Sequence, residues 1–305
     1  MKKVLILGSN GYIGSALSER LKQLYELKLV DICWFDEPRE DVLVIDYSTL
    51  SENVYKMFDV VILMAGHSSV KMCEGDLINS HNNNVNNFIN LLPKLKKGTK
   101  FIYASSSSVY GKCSILADEE YYDFKPYNNY DVTKHIIDLY VKRFDIEYYG
   151  LRFGTVNGYS PIVRNDVMIN SMYCCAKNNG HIDLYVRDIM RPILGIDDLS
   201  NAIIKIINSE KDLRGIYNLA SFNMTSGDIA NKVADLLNVK INEIEVVEPI
   251  TNIKLQTKSY DFKIDTNKFQ SNFDFTFNDT IESIVSSFEN KPFIETSRHK
   301  IIDYV

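Results

Sequence analysis

The sequence predicts an α/β fold built on a doubly wound parallel sheet. Short apolar runs alternate with amphipathic helical stretches throughout the first half of the 305-residue chain. Loop signals follow the apolar runs, at the carboxyl ends of strands where such sheets bind ligands. The chain is 45% apolar and can bury a large core. At about 150 residues per domain, its length favours two domains.

The N-terminus contains a strand, a glycine turn and a helix. Residues 4–7 form an apolar run that ends at Gly8, and Gly8, Gly11 and Gly14 follow in a GxxGxxG spacing. Glycines at this spacing allow a tight bend, close approach of a pyrophosphate to the backbone, and close packing of helix on strand. The helix then carries apolar residues at helical intervals: Ile13, Leu17, Leu21 and Leu24. The unit predicts a Rossmann-type dinucleotide site.

A second strand, residues 26–30, ends in Asp31. An acidic residue about 20 positions after the glycine turn can accept hydrogen bonds from the adenosine ribose hydroxyls. The same charge repels a 2′-phosphate. Asp31 therefore favours NAD over NADP.

The remaining elements continue the alternation. Further strands are predicted at residues 42–45, 60–64, 100–104 and 148–152, and helices at 84–95, 130–144 and 226–237. We assign residues 1–156 to the NAD-binding domain, with 192–215 returning to it. Residues 157–191 and 216–305 are predicted to form a smaller C-terminal α/β substrate-binding region.

Tyr130 and Lys134 are the strongest candidates for chemistry. They lie near the start of a predicted helix, four residues apart and therefore on one face. Tyr121/Lys125 and Tyr173/Lys177 share the spacing, but the first pair lies in an acidic loop and the second has no serine at a similar distance upstream. Context thus selects the pair at 130 and 134.

A tyrosine needs help to act as a base at neutral pH. Its ordinary pKa is about 10, and a nearby ammonium group favours the phenolate. Lys134 is predicted to supply that charge and so lower the pKa of Tyr130. Ser106, in the serine run after the strand at 100–104, can hold the substrate oxygen while the tyrosine moves its proton.

Composition argues against several other classes of protein. The formal net charge is −6, with no basic stripe, so nucleic acid is not an expected partner. No apolar stretch is long enough to span a membrane. The five cysteines are odd in number and lack metal-ligand spacing, and the histidines are scattered, so no metal site is predicted. A reducing, cytoplasmic location is expected.

The ordered series of motifs resembles the extended short-chain dehydrogenase/reductase family, in particular its nucleotide-sugar epimerases, dehydratases and 4-ketosugar reductases. The likeness covers nearly the whole chain. It comprises GSNGYIG, Asp31, Asp46-Tyr47, DVVILMAG, Asn84-Val85, SSSSVYG, Tyr130/Lys134, LRFGTVNG, RPILGIDDL and YNLAS.

The resemblance implies NAD as cofactor and a set of contacts to it. Tyr130 would be the acid/base and Lys134 would bind the nicotinamide ribose. The implied cofactor-binding residues are Gly8, Asn10, Gly11, Tyr12, Ile13, Gly14, Asp31, Asp46, Tyr47, Met64, Ala65, Gly66, Ser105, Tyr130 and Lys134. A homodimer formed by the helices beginning near Asn84 and Tyr130 is also implied.

The implied substrate is a nucleotide-diphosphate sugar. Its expected contacts are Ser107, Arg164, Arg187 and Arg191. Arg191 matches the family arginine that contacts the diphosphate, although an ion pair with Asp197 or Asp198 is an equal alternative.

Two departures from the family pattern leave the substrate open. Thr155 replaces the usual asparagine of LRxxN. No second phosphate arginine is identified in the C-terminal half, where Lys254 and Lys258 are the nearest basic residues, and Arg164 and Arg187 are the candidates to compensate for it.

The residues after Ser106 narrow the expected reaction. Dehydratases of this family carry Asp-Glu there, whereas this chain has Ser107 and Ser108. The 3,5-epimerase/reductase branch has a cysteine at the position of Ser108. We therefore expect hydride transfer at a sugar carbinol or ketone, as family members do most often at carbon 4, by a dehydrogenase or 4-ketoreductase. The alternatives are a 4-epimerase with tightly bound NAD and a non-catalytic NAD-binding sensor or scaffold.

Overall fold

The computed structural model describes residues 1–34, 37–244, 260–292 and 294–295. The strands are β1 Lys3–Leu7, β2 Glu26–Asp31, β3 Val42–Val44, β4 Val60–Leu63, β5 Lys100–Ser106, β6 Lys112–Ala117, β7 Glu147–Phe153, β8 Thr155–Asn157, β9 Ile162–Val163, β10 His181–Leu184, β11 Met190–Gly195, β12 Gly215–Leu219, β13 Phe222–Thr225, β14 Lys240–Glu243, β15 Asp261–Ile264 and β16 Ile294–Glu295.

The helices alternate with these strands through the first half of the chain. They are α1 Tyr12–Leu21, α2 Glu52–Tyr55, α3 Val70–Gly75, α4 Leu77–His81, α5 Asn87–Leu91, α6 Asn129–Tyr140, α7 Met168–Asn179, α8 Ile196–Asn208, α9 Ser226–Leu237, α10 Asn267–Phe273 and α11 Ile281–Ser286. Short 3-10 turns lie at Tyr47–Thr49, Leu92–Lys94, Ser107–Tyr110 and Val141–Arg143.

Seven parallel strands form the central sheet in the order β12-β7-β5-β4-β1-β2-β3. β1 and β4 are buried almost throughout, as expected when helices cover both faces of a parallel sheet. One face packs against α1, α8 and α10 through Leu17, Leu199 and Phe269. The other packs against α5 and α6 through Phe88 and Ile137. The predicted doubly wound sheet is confirmed.

The division between the two regions differs from the prediction. The expected boundary at residue 216 falls inside β12, which pairs with β7 at the edge of the central sheet. Phe273 of α10 also packs into the core beside that sheet. Residues 215–219 and 267–273 therefore belong with the central sheet. The first segment pairs with β7 at the edge of the sheet, and the apolar side chains of the second pack into the core beside it.

The remaining strands form small sheets: β13-β11-β8, β10-β14, β15-β6 and β16-β9. A separate core, with Ile169, Ile182, Ile229 and Ile284, joins α7, β10, α9 and α11. This part matches the expected smaller C-terminal α/β region. The helices that the structure describes include none that is both long and apolar enough to cross a membrane.

The helix predicted at 84–95 is wrong in extent. The helical segment begins at α4, where the Asp76 carboxylate caps the N–H of Asn79, and reaches α5 through a π turn at Asn82–Asn86. The asparagines of this stretch interrupt the helical spacing of apolar residues, which is the pattern on which a sequence prediction depends. π turns of this kind occur frequently at functional sites.

The helix predicted at 130–144 is shorter than expected. α6 ends at Tyr140, and one 3-10 turn follows. Val132, Leu139 and Tyr140, which suggested the apolar face, are exposed, whereas Thr133 and Lys134 are buried. The buried side of this helix is largely polar because it faces the candidate active site.

Candidate active site

One pocket lies at the carboxyl ends of β1, β2 and β4 and collects most of the predicted cofactor residues. Those that line it are Gly8, Asn10, Gly11, Tyr12, Ile13, Gly14, Asp31, Asp46, Tyr47, Met64, Ala65 and Gly66. Arg164, Asn83, Ser68 and Trp34 line it as well. The structure thus brings the glycine turn, the acid after β2 and the end of β4 to a single cavity.

Two glycines of the turn have different roles. A Cβ on Gly14 would overlap the backbone of Gly8 and Ser9, so close packing of α1 on β1 requires glycine there. A Cβ on Gly11 would meet only the Gly8 carbonyl oxygen, at an ordinary 3.5 Å. Gly11 caps α1 and lines the pocket. Its missing side chain therefore leaves room for a ligand at a helix N-terminus, where unpaired N–H groups bind phosphate.

The Asp31 carboxylate holds the turn in place. Its Oδ2 accepts the N–H of Asn10 at 2.8 Å, and its Oδ1 accepts the N–H of Cys33 at 2.7 Å. Each carboxylate oxygen has two lone pairs, so one on each remains for ribose hydroxyls. These free acceptor positions therefore fit the hydroxyl groups of an unphosphorylated adenosine ribose.

Arg39 is a neighbour of this site that the sequence analysis missed. Its Nη2 donates to the Ser9 carbonyl at 3.2 Å, and its buried Nε and Nη1 have no hydrogen-bond partner within the described residues. Nε lies 3.7 Å from the Asp41 carboxylate, which is beyond hydrogen-bond distance. No motif marks Arg39, because it lies in the irregular loop after β2.

The predicted catalytic residues converge beside the pocket. Ser106 ends β5, and its hydroxyl forms a hydrogen bond with that of Ser108 at 2.8 Å. Tyr130, in the first turn of α6, lies close enough to Ser106 for the serine to lower the tyrosine pKa. Asn128 caps this helix by accepting the N–H of Asp131 at 3.0 Å. Lys134 Nζ donates to the Ala104 carbonyl at 2.7 Å. The two competing tyrosine–lysine pairs lie elsewhere.

The geometry of those competing pairs supports a structural role for each. Lys125 forms an exposed ion pair with Asp123 at 2.8 Å. Tyr173 stacks on Phe288 at 4.6 Å between ring centroids, within the core of the C-terminal region. Tyr130 and Lys134 are therefore the pair that lies next to both the serine and the pocket.

Burial governs the pKa values of Tyr130 and Lys134, the two candidate catalytic groups. It raises the pKa of Tyr130 to about 12, although the contact with Ser106 and the charge of Arg164 act in the opposite direction. Burial lowers the pKa of Lys134 to about 8. The expectation that Lys134 lowers the tyrosine pKa is not met in the protein alone. Lys134 donates to the Ala104 carbonyl, and its Nζ lies 5.7 Å from the centroid of the Tyr130 ring. Arg164 is the cation whose charge lowers the pKa of the tyrosine.

The arginines predicted to contact the substrate lie in different parts of the structure. Arg164 lines the pocket, forms a bidentate ion pair with Asp166 at 2.9 and 3.0 Å, and donates to the Ser68 carbonyl at 3.2 Å. Arg187 instead pairs with Glu243 at 2.6 Å, away from the pocket. The prediction of a substrate contact at Arg187 is therefore replaced by this surface ion pair.

Arg191 is half-buried against the ring of Tyr260, with its guanidinium carbon 5.6 Å from the ring centroid. Its Nε lacks a hydrogen-bond partner among the described residues, and burial lowers its pKa. The alternative ion pairs do not form: Asp197 pairs with Arg20, and Asp198 accepts backbone N–H groups. Lys254 and Lys258 lie outside the described residues.

A buried acid beside the catalytic tyrosine was also missed. Asp131 is fully buried, and both its oxygens accept from the Tyr260 hydroxyl at 2.9 Å. Burial raises its pKa. The two residues lie far apart in sequence, so no local pattern indicates the contact. It joins the catalytic helix to the segment that covers Arg191.

Other polar groups complete the surroundings. Asn84 projects from the π turn, accepts the N–H of His67 at 2.8 Å and donates to Thr133 Oγ1 at 3.3 Å. It thereby fixes the loop after β4 against α6. Ser107 is buried in the 3-10 turn after β5. The Ser105 hydroxyl is buried without a partner among the described residues, which fits a contact to a ligand.

The sequence matches the model of the NAD dependent epimerase/dehydratase family over residues 4–220. The chain belongs to this family. Protein CapI of Staphylococcus aureus is 26% identical over 287 residues, which cover 82% of this chain and 83% of CapI. Family membership confirms the resemblance, the assignment as an enzyme and NAD as its cofactor.

Solved structures confirm the fold. UDP-glucuronic acid 4-epimerase from Bacillus cereus, in complex with UDP-glucuronic acid and NAD, has a TM-score of 0.78 at 21% identity, covering 93% of this chain and 97% of that one. MoeE5 in complex with UDP-glucuronic acid and NAD has a TM-score of 0.80 at 19% identity, covering 93% and 97%. Both are likenesses of architecture across nearly the full chain.

Proposed function

We propose that this protein transfers hydride between NAD and one carbon of a nucleotide-diphosphate sugar, with Tyr130 as the acid/base. One observation carries the proposal. Tyr130 lies close enough both to Ser106, at the carboxyl end of β5, and to Arg164, which lines the pocket of the glycine turn, for the two residues to lower its pKa. Bound NAD supplies the hydride acceptor or donor and a positive charge on its oxidised ring.

The residues around the reacting carbon have different roles in the proposed reaction. Ser106 donates to the sugar oxygen and holds it next to Tyr130, which takes or returns the hydroxyl proton. Because the pKa of Tyr130 is raised to about 12 even with the Arg164 charge nearby, the site needs further positive charge to form the phenolate near neutral pH. The oxidised nicotinamide ring would supply it. Lys134 has a pKa of about 8, keeps most of its charge at neutral pH and can donate to the nicotinamide ribose.

The proposed diphosphate contact is Arg191. Its guanidinium is desolvated and leaves Nε without a hydrogen-bond partner among the described residues. A buried guanidinium binds phosphate oxygens with charge-assisted hydrogen bonds that are stronger than those formed in water. Arg164 and Ser107 are proposed as further substrate contacts nearer the sugar. The nucleotide and the position of the reacting carbon, expected at carbon 4, follow only from the family.

Among the possible reactions, the comparisons favour 4-epimerisation over one-way oxidation or reduction. The family is named for epimerases and dehydratases, and one of the solved structures is a UDP-glucuronic acid 4-epimerase. Ser107 and Ser108 stand where dehydratases carry Asp-Glu. An epimerase returns the hydride to the opposite face of the ketone, so the cofactor is unchanged after a full turnover. A dehydrogenase or 4-ketoreductase is the second candidate.

The test is a single set of assays on the purified full-length chain. Retained cofactor is identified by absorbance and mass, and UDP-, GDP-, CDP- and dTDP-sugars are then added one at a time. NMR of the sugar and absorbance of the cofactor are followed together. A new epimer with no net change in cofactor supports the epimerase, and stoichiometric cofactor conversion supports the dehydrogenase or ketoreductase. If NAD is bound but no sugar is epimerised and no cofactor is converted, both enzymatic proposals are contradicted. That result would support a non-catalytic NAD-binding sensor or scaffold.

The homodimer is also proposed. The helical segment from α4 to α5 lies beside α6, joined by hydrogen bonds from Asn129 to Ser80 and from Asn84 to Thr133. Exposed apolar side chains on these helices are Leu77, Ile78, Val132, Leu139 and Tyr140. A group of exposed apolar side chains on neighbouring helices favours an interface at this face.

Light scattering at several concentrations tests the dimer. Leu139→Glu should convert it to a monomer, and Glu19→Lys on the opposite face of the sheet should leave it intact. A monomeric wild type at high concentration would contradict the proposal. The cytoplasmic location remains a proposal that rests on the cysteine content.

A further inference from the structure

One group of potential metal ligands stands out among the described residues, away from the cofactor pocket. It consists of Cys175, His181 and Asp183, whose ligand atoms all lie within 4.8 Å of one another. Cys175 is in the last turns of α7, and the other two lie on β10. Gly180, in the left-handed conformation at φ 73°, reverses the chain between them and places the helix end beside the strand.

The hydrogen bonds around His181 define which nitrogen faces the group. Its Nδ1 lies 3.1 Å from the Asn179 carbonyl oxygen, which can only accept, so Nδ1 carries the proton. In the neutral ring, Nε2 then presents a lone pair. Nε2 lies 3.3 Å from Asp183 Oδ1, which is also an acceptor. An imidazole nitrogen and a carboxylate oxygen at this distance can bind the same metal ion.

Cys175 supplies the third candidate ligand atom. Its Sγ donates a hydrogen bond to Asp183 Oδ2 at 4.0 Å and accepts one from the Asn179 side-chain amide at 3.5 Å. Asn242 donates to Asp183 Oδ1 at 3.1 Å. Each candidate ligand is therefore oriented by an asparagine, as the ligands of metal sites usually are by their outer partners.

We propose that Cys175, His181 and Asp183 bind one zinc ion, with water as the fourth ligand. Tetrahedral zinc with its usual bond lengths separates nitrogen from oxygen by about 3.4 Å and sulfur from oxygen by about 3.6 Å. His181 Nε2 lies 3.3 Å from Asp183 Oδ1, close to the first value. Cys175 Sγ lies 4.0 Å from the other carboxylate oxygen, Oδ2, so a small rotation of the Asp183 side chain is needed to bring one oxygen to both ligands. The side chains of His181 and Asp183 are about one third exposed, at 37% and 32%, so the ion and a water molecule can reach them.

The ligand set is selective for this kind of metal. A thiolate together with an imidazole suits zinc, whereas calcium and magnesium prefer oxygen ligands alone. Binding displaces the thiol proton of Cys175 into solvent and leaves the imidazole neutral. The bound ion would join the end of α7 to β10 and, through Asn242, to β14. It is thus a structural centre of the C-terminal region, distinct from the hydride-transfer site.

Cobalt(II) is the probe that reads both geometry and sulfur ligation. Metal-stripped full-length protein is titrated with cobalt(II), and the visible d–d bands and the sulfur-to-cobalt charge-transfer band are recorded. The proposal expects one equivalent of four-coordinate cobalt with a thiolate band, displaced by zinc. Zinc affinity is then measured by competition with a chromophoric chelator.

Variants assign the ligands. Cys175→Ser should abolish the thiolate band, and His181→Gln and Asp183→Asn should each weaken zinc binding about 100-fold or more. Asn179→Ala, which removes an orienting partner, should weaken it about 10- to 100-fold. Cys174→Ser and His81→Gln are the matched controls and should bind zinc as the wild type does.

Fluorescence of Trp34, the single tryptophan, checks in each variant that the NAD pocket is intact. Unchanged NAD affinity shows that a loss of metal binding is local. The proposal is overturned if cobalt binds without a thiolate band, or if zinc affinity is the same in Cys175→Ser and His181→Gln as in the wild type.

Discussion

Substitution by alanine should have different effects at Gly11 and Gly14: it should destabilise the fold at Gly14 and weaken only NAD binding at Gly11. A Cβ at Gly14 would overlap the backbone of Gly8 and Ser9, and backbone cannot move aside as a flexible side chain can. Overpacking of this kind costs about 1–3 kcal/mol or more. Gly14→Ala should therefore lower the thermal midpoint by several degrees, and NAD binding should be lost along with the distorted turn.

Gly11→Ala should spare the fold and affect only the ligand. The added Cβ meets one atom at 3.5 Å, and φ at this position, −82°, suits alanine. The helix-capping loss on replacing glycine by alanine is below about 1 kcal/mol. A methyl group on the pocket wall keeps the pyrophosphate from the N–H groups of α1. Loss of one charge-assisted hydrogen bond, about 1.5–3 kcal/mol, weakens NAD binding about 10- to 150-fold.

The assay uses the single tryptophan, Trp34, which lines the same pocket. NAD is titrated while Trp34 fluorescence is recorded, and thermal unfolding is measured on the same samples. Gly75→Ala is the control, because a Cβ there would meet nothing within 4 Å. Wild-type NAD affinity in Gly11→Ala would refute the assignment of this turn to the pyrophosphate.

Three further predictions follow from the site. Asp31→Asn removes the charge that faces the ribose, so NAD affinity should fall about tenfold and the preference over NADP should shrink, as measured by fluorescence titration with both cofactors; unchanged selectivity would contradict this role. Arg164→Gln should move the rise of kcat/KM for sugar oxidation to higher pH, because the Arg164 charge lowers the pKa of Tyr130. Arg187→Gln, which breaks only a surface ion pair, should leave that pH profile in place. Tyr260→Phe deprives the buried acid of α6 of its hydroxyl partner and should cost about 1–3 kcal/mol in denaturant unfolding; equal stability would count against that network.

The central sheet could be predicted from the sequence because its strands and its cofactor-binding edge have characteristic residue patterns. Strands buried on both faces are continuous apolar runs, and the turn glycines and Asp31 mark the cofactor edge by residue type. The turn between α4 and α5 could not be predicted, because its asparagines carry no apolar period. The buried side of α6 was misjudged for a related reason. Polar residues such as Thr133 face inward there because they meet a site rather than a core.

Order and spacing sufficed to select Ser106, Tyr130 and Lys134 as the candidate catalytic residues, but their surroundings could not be predicted. The contact between Asp131 and Tyr260 joins distant parts of the chain. The cluster at Cys175 and His181 was missed because the sequence rule looks for paired cysteines. Here the turn at Gly180, rather than a repeated motif, brings the ligands together.

The most direct measurement is turnover by Tyr130→Phe, with NAD affinity determined on the same preparation. Phenylalanine keeps the ring on α6 and removes only the hydroxyl near Ser106. Loss of a general acid/base costs about 10²–10⁴ in rate. The proposed mechanism therefore predicts a loss in kcat of at least about 100-fold at wild-type NAD affinity. A variant that turned over nucleotide sugars at the wild-type rate would contradict Tyr130 as the proton-transfer residue.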